Sequence, residues 1–176
     1  LEWFAPPLAR PPAVLANRGA NGIDGVSSTA QGVAAAGRGP VVGLLGDLAF
    51  LHDASSLVRP AGPAPGPTSC TLVVVDNGGG GIFSFLPQAT AVDPQRFEQL
   101  FGTPQATEVA AVARGFGLET ADVGTPDELA SALPAAVGRD GLSVVRARVP
   151  DREANVALHR RVHEAVAAAA AALAIS

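Results

Sequence analysis

Two oxygen-bearing side chains stand out by type and spacing. Asp47 follows the apolar run 41–45 and Gly46, and Asn77 follows the apolar run 70–75 and Asp76, thirty positions further on. Each therefore falls at the carboxyl end of a strand-like run, the edge at which α/β sheets collect ligands. Thirty residues are about the length of a strand, a crossover helix and a second strand. If those strands are neighbours, about 4.8 Å apart, both side chains can reach one point. Mg²⁺ takes near-octahedral oxygen ligands, commonly one or two from side chains, with phosphate and water supplying the rest. Asp47 offers a carboxylate oxygen, Asn77 an amide oxygen, and the glycine run 78–81 a backbone carbonyl. Those glycines, like the helix start after Gly46, also let backbone N–H groups approach a phosphate. The pattern points to a metal-bridged diphosphate. A plainer reading stays open, in which Asp47 only caps the helix that follows. The glycine run lacks the G-x-G-x-x-G order of a dinucleotide site.

Short β-like runs alternate with helical segments along the chain. Residues 13–16 and 41–45 read as strands, followed by helical segments at 24–37, with Asp24 as N-cap, and 47–58. The proline- and glycine-rich stretch 59–69 reads as loop. The clearest strand is 70–75, a continuous apolar run of the kind buried on both faces of a parallel sheet. Helical segments at 94–102 and 107–117, a short strand at 118–123, a helix opened by Thr125 and Pro126, a strand at 142–149 and a final helix at 153–174 complete the pattern. The implied fold is α/β, a three-layer sandwich around a mainly parallel sheet.

Composition narrows the functional classes. The 176 residues are 48% hydrophobic and 16% charged, which excludes disorder by composition, and no run approaches the ~20 apolar residues of a membrane span. Net charge is −4 and the twelve basic residues are all arginines, scattered along the chain, so there is no footprint for nucleic acid. Absence of lysine removes the phosphate-binding loop ending in Gly-Lys and also Schiff-base chemistry. The single cysteine, Cys70, reads as a buried structural thiol, and with no leader in view the expected compartment is cytoplasmic. The start at Leu1 and the proline-rich opening 1–12 read as a linker-like lead-in and a fragment of a longer enzyme. His52 and Asp53 read as structural or solvent-facing, and His159 and His163, four apart on the last helix, as solvated positions without a third metal ligand.

The Gly46-Asp47 and Asp76-Asn77 pairs resemble the metal and diphosphate motif of thiamine-diphosphate enzymes. More specifically, "NRGANGIDGVSSTAQGVAAA", "GDLAFLHD", "VVVDNGGGGIFSFLPQ" and "FEQLFGTP" resemble, in that order, the C-terminal cofactor domain of the MenD family. These are the 2-succinyl-5-enolpyruvyl-6-hydroxy-3-cyclohexene-1-carboxylate synthases of menaquinone biosynthesis. Two positions depart from the general motif: Leu48 stands where glycine is usual, and Asp76 where the first asparagine of a pair is usual. Asp76 is accordingly placed as a strand-end residue and Asn77 as the ligand.

The resemblance implies a thiamine-diphosphate-binding fold over residues 1–176, and a transferase that decarboxylates 2-oxoglutarate and adds the succinyl unit to isochorismate. It implies thiamine diphosphate with Mg²⁺, or Mn²⁺, as cofactors. Asp47, Asn77 and the Gly79 carbonyl would hold the metal; Asn21, Ile23, Gly46, Asp47, Leu48, Asn77 and Gly79 would line the cofactor. Ile23 would be the bulky residue that keeps the cofactor bent. Arg18, Ile82 and Phe83 would bind substrate, the arginine through its planar fork. No catalytic residue is expected within this chain. The activating glutamate of such enzymes comes from an N-terminal pyrimidine-binding domain, usually of a second subunit in a homo-oligomer, and none of the seven glutamates here matches its motif. The alternatives are a noncatalytic assembly or binding module and a domain of another thiamine-dependent 2-oxoacid decarboxylase or synthase.

Overall fold

A computed structural model describes residues 9, 11–17, 21–37, 39–59, 62 and 69–173. Helix α1 (Val26–Ala35) leads into strand β1 (Val41–Gly46) and the short helix α2 (Asp47–His52), which a 3₁₀ turn (Ala54–Leu57) prolongs. Strand β2 (Ser69–Asp76) runs into the glycine loop and a 3₁₀ turn over Gly81–Phe85. Two single-turn helices, α3 (Gln88–Ala91) and α4 (Pro94–Phe97), then give way to a π turn over Glu98–Gly102. Helix α5 (Val109–Gly115), strand β3 (Glu119–Val123), helix α6 (Pro126–Val137), strand β4 (Gly141–Arg148) and helix α7 (Arg152–Leu173) follow.

All the strand pairs are parallel and the order is β1-β2-β4-β3. The continuous apolar run in β2 is explained by its central place: Leu72 and Val74 are fully buried on one face, and Thr71 and Val73 are buried on the other. Helices α1, α2 and α5 cover the first face, where Phe50, Leu57, Leu72, Val74, Val109 and Val144 form the larger core. Helix α6 covers the second face, packing Ala132, Leu133 and Ala136 against Val73, Val145 and Ala147. Helices on both faces of a parallel sheet make the three-layer α/β sandwich implied by the alternating pattern. Over β1 the second face lacks a helix among the described residues, and Val42 and Leu44 remain about half exposed.

Most boundaries follow from local chemistry. Thr125 accepts a hydrogen bond from the Glu128 N–H at 3.2 Å and Glu128 accepts from the Gly124 N–H at 2.7 Å, a reciprocal cap that starts α6 with Pro126 in its first turn. Cys70 is buried, and desolvation pushes its thiol up to about 11, the inert state expected of a structural cysteine.

Some expectations need correction. Residues 13–16 form no strand; the described stretch 11–17 carries no regular structure, and Val14 and Leu15 are exposed. Four small apolar residues satisfy the strand pattern but bury nothing here. Asp24 does not cap α1, because Gly25, in a left-handed conformation, occupies the cap position. The Asp24 carboxylate turns to Asn21, at 2.8 Å, and to His52, at 3.6 Å. Asp53 does not merely face water either: it accepts from the Ser28 N–H at 2.9 Å and from its hydroxyl, tying α1 to the end of α2. Arg18 and most of the 1–12 lead-in lie outside the described residues. No helix among those described is long and apolar enough to cross a membrane.

Phe50 is wholly buried where α2 meets the sheet. Phe50→Ala is expected to cost about 3–5 kcal/mol through lost burial and the cavity left behind. Denaturant unfolding monitored by circular dichroism checks this, with the solvent-facing Leu158→Ala on α7 as a control within about 0.5 kcal/mol of the parent.

Candidate functional site

The parallel pairing of β1 with β2 places Gly46 opposite Val75, so the residues that follow, Asp47 and Asp76, leave the sheet side by side. Asp47 opens α2 and is only 3% exposed. Its Oδ1 accepts from the Leu48 N–H at 2.8 Å, and its Oδ2 accepts from the Gly79 N–H at 2.7 Å. The second bond joins the end of β1 to the loop after β2 across 32 positions of sequence. Burial raises the pKa of the Asp47 carboxyl above the ordinary aspartate value, the two backbone N–H groups work against that rise, and the neighbouring Asp76 carboxylate adds to it. Asp47 is a buried acid with hydrogen bonds but no cation beside it in the ion pairs of the described residues.

Asn77 completes the arrangement. Its Oδ1 is buried and has no hydrogen-bond partner among the described residues. A buried amide oxygen left unpaired costs about 1–3 kcal/mol, so such an atom calls for a ligand. The amide lies against Gly81: a Cβ built there would collide with Asn77 Nδ2. Gly79 holds φ at +137°, and a Cβ on it would run into the Gly102 carbonyl oxygen and come within 3.0 Å of that of Thr103. The Gly79 carbonyl accepts from the Gly81 N–H at 2.8 Å and keeps a second lone pair. At Gly46, by contrast, a built Cβ meets nothing within 4 Å, so space is open at the end of β1.

The loop is held from behind by the segment 97–103. Gly80 N–H donates to the Gly102 carbonyl at 2.8 Å, Phe97 stacks on Phe101 with ring centroids 5.4 Å apart, and Phe101 meets Phe83 at 5.8 Å. Glu98 pairs with Arg152 at 2.5 Å beside Gly102, linking α7 to the same support. The "FEQLFGTP" motif is therefore the buttress of the glycine loop.

The other predicted residues that the structure describes differ in burial. Leu48 is half-buried in α2, and Ile23 is half-buried against the larger core. Asn21 is exposed, with its amide donated to Asp24. Ile82 is 74% exposed and Phe83 37%, an apolar pair on the turn that leaves the glycine loop. Among the described residues no group of three or more His, Cys, Asp or Glu could hold a metal ion, so a cation here must draw on amide and carbonyl oxygens. His159 is engaged with the Phe85 ring and the Asn155 carbonyl.

A group that sequence reasoning missed lies beside Asp76. Arg146 on β4 reaches Asp76 at 2.7 Å, Glu108 at 2.7 Å and Asp122 at 3.0 Å. Burial works against the Arg146 charge, yet its hydrogen bonds to Asp76 and Asp122 outweigh that and raise its pKa. The signal was present in the sequence: an arginine at 146 interrupts the otherwise buried run 143–147 of β4.

A parallel α/β sheet whose strand ends present a buried acid, a buried amide oxygen and a glycine loop has the form of a cofactor-binding domain. The model of the thiamine pyrophosphate enzyme family, C-terminal TPP binding domain, matches residues 5–147, and the chain belongs to that family. It is 45% identical over 96% of its length to the 2-succinyl-5-enolpyruvyl-6-hydroxy-3-cyclohexene-1-carboxylate synthase of Myxococcus xanthus, covering 28% of that protein. To the synthase of the same name from Thermobifida fusca it is 47% identical over 89% of the chain and 27% of that protein. The chain thus spans little more than a quarter of the length of these relatives. Among solved structures it resembles benzoylformate decarboxylase from Polynucleobacter necessarius, with a TM-score of 0.54 and 25% identity over 74% of this chain and 24% of that one.

Two outcomes test the geometry without any cofactor. Gly79→Ala must open the contact with the Gly102 carbonyl and is expected to cost about 1–3 kcal/mol, read by thermal unfolding. For Asp47, the raised folded-state pKa means that the folded state holds the proton more tightly than the unfolded chain. That contribution is favourable at low pH and is lost as pH rises from the ordinary aspartate pKa through the higher folded one. Stability measured without divalent ions across this window should fall with pH less steeply in Asp47→Asn than in the parent.

Proposed function

We propose that residues 1–176 form the C-terminal thiamine diphosphate and Mg²⁺ domain of a transferase, a synthase that decarboxylates 2-oxoglutarate and adds the succinyl unit to isochorismate in menaquinone biosynthesis. The observation that carries the cofactor part is the buried Oδ1 of Asn77, without a hydrogen-bond partner among the described residues, on the loop whose Gly79 N–H donates to the buried Asp47 carboxylate. The likeness to the synthases named above supports the choice of reaction.

The donor set suits a hard cation: one carboxylate, one amide oxygen and one backbone carbonyl, from Asp47, Asn77 and Gly79. Mn²⁺ accepts the same oxygen ligands. Thiamine diphosphate, when bound, supplies the electron sink for decarboxylation. The chain's own residues bind and orient it. Gly46 and Leu48 flank the diphosphate, while Asn21 and Ile23 set the shape of the cofactor from the loop before α1. Ile82 and Phe83 present apolar surface that keeps water from the reacting centre. Arg18 takes a substrate carboxylate through its fork of donors. The activating glutamate comes from an N-terminal pyrimidine-binding domain of a second subunit in a homo-oligomer, in the cytoplasm. This chain by itself supplies half of the site.

The full-length protein is expected to release carbon dioxide from 2-oxoglutarate in the presence of isochorismate, and not from pyruvate. Preference for pyruvate would assign it to another thiamine-dependent decarboxylase or synthase; cofactor binding without turnover would make it an assembly module. Asp47→Ala is expected to abolish Mg²⁺-dependent cofactor binding, as measured by calorimetry, because the cation loses its charged ligand. Arg18→Ala should lower kcat/KM by roughly 10- to 100-fold with little change in cofactor affinity, the size expected for a charge-assisted hydrogen bond. The isolated chain should show no turnover even with cofactor and metal, since orientation of the cofactor's other half is missing.

A further inference from the structure

We propose that Arg146 is a positioning residue for the cofactor anchor: by holding Asp76 it cancels a negative charge beside the diphosphate and fixes the loop that carries Asn77 and Gly79. The inference rests on the proposed function, because it assigns a charge balance to the same site.

Asp76 stands at the end of β2, 12% exposed at its side chain and adjacent in sequence to Asn77. Its Oδ1 accepts from the Gly78 N–H at 3.1 Å, which sets the first turn of the glycine loop. Its Oδ2 accepts from Arg146 Nε at 2.7 Å. Its carbonyl accepts from the Val149 N–H at 3.1 Å, so the strand that bears Arg146 is tied to it twice.

Arg146 touches three carboxylates, and they do not depend on it equally. Glu108 also pairs with Arg114 and caps α5 through the Ala110 and Ala111 N–H groups. Asp122 also pairs with Arg148 at 2.9 Å. Among the described residues, the recorded ion pairs give Asp76 no cation other than Arg146. The register explains the arrangement: Val74 and Asp122 flank Arg146 in the sheet, so Asp76, Arg146 and Asp122 share the face that bears the larger core.

Two carboxylates, Asp47 and Asp76, then meet an anionic diphosphate at one sheet edge. Each needs its own cation. A metal ion held by Asp47 and Asn77 answers the first, and Arg146 answers the second. Without Arg146, Asp76 would be a poorly solvated acid repelling the diphosphate, and its grip on Gly78 would lose its own support.

The test is a cycle on the full-length protein with Arg146→Gln, Asp76→Asn and the double variant. Calorimetry gives the affinity for thiamine diphosphate at fixed Mg²⁺, and thermal unfolding gives stability. Arg146→Gln is expected to weaken cofactor binding by about 10- to 100-fold, the size of a charged hydrogen bond lost. Adding Asp76→Asn should bring the affinity back to within about fivefold of the parent. A purely scaffolding role predicts no such rescue, since Glu108 and Asp122 still lack Arg146 in the double variant. Unchanged binding in Arg146→Gln, or a double variant that binds no better than the single, would overturn the proposal. Should Arg146→Gln fail to fold, Arg146→Lys and the double variant decide: each is expected within about fivefold of the parent, and a loss beyond tenfold in both refutes the inference. If the parent itself binds no cofactor with Mg²⁺, the proposed function fails instead, and the two failures are distinct.

Discussion

The hydrogen bond from the Gly79 N–H to Asp47 is the constraint on which the rest of the site depends. It crosses from the end of one parallel strand to the loop after the next, at 2.7 Å, inside a region closed to solvent. For that bond to form, the glycine loop has to lie against the carbonyls of the 101–103 segment, at a distance that leaves no room for a Cβ on Gly79 or Gly80. The loop glycines, the π turn and the phenylalanine stack behind them are consequences of one close approach of backbone to backbone. A serine at either position would have to displace the buttress, and with it the position of Asn77.

The price of that geometry is visible in what it leaves uncompensated. Among the described residues Asp47 is buried with two N–H donors and no basic side chain, and Asn77 keeps a buried oxygen with no partner. An apolar pair of the same volume would be easier to bury. Folding tolerates the cost because two core clusters, one on each face of the sheet, stand behind the strand ends. Local disagreement between stability and sequence is expected at functional edges, and the proposed function places the ligand at this one.

How far the sequence revealed this depends on the range of the interaction concerned. Strand β2 and the start of α6 were legible, because an unbroken apolar run and a Thr-Pro cap carry their meaning within a few residues. The positions of Asp47 and Asn77 were legible for a related reason: strand ends can be read locally, and only one further step, that the strands are neighbours, is needed. The supposed strand at 13–16 and the supposed Asp24 cap failed at the same level, since pattern alone cannot say whether a strand finds an edge or a carboxylate finds a better donor. Asp24 found Asn21 and His52. The Arg146 cluster joins residues 24 to 70 positions apart and has no local signature beyond a charge in an apolar strand.

Charge placement explains why a departure from the family pattern need not disturb the site. On the proposed function, an aspartate at 76 in place of the usual asparagine adds a negative charge beside a bound anion, and a substitution of that kind in isolation would work against the cofactor. Here the added acid lies beside Arg146, and the arginine is held in turn by Glu108 and Asp122, each of which has a second basic partner in Arg114 and Arg148. The added acid therefore belongs to a network of three acids and three arginines on β2, β3, β4 and α5. Because Asp76, Asp122, Arg146 and Arg148 sit on strands and not on a loop, their geometry is as rigid as the sheet that carries them. The exposed pair Ile82 and Phe83 belongs to the opposite regime, an apolar surface on a short turn at the open side of the same edge. Rigid charge behind and apolar surface in front divide the edge into a polar, buried part and an apolar, exposed part, the division that the proposed function uses to hold a polyanion and to exclude water.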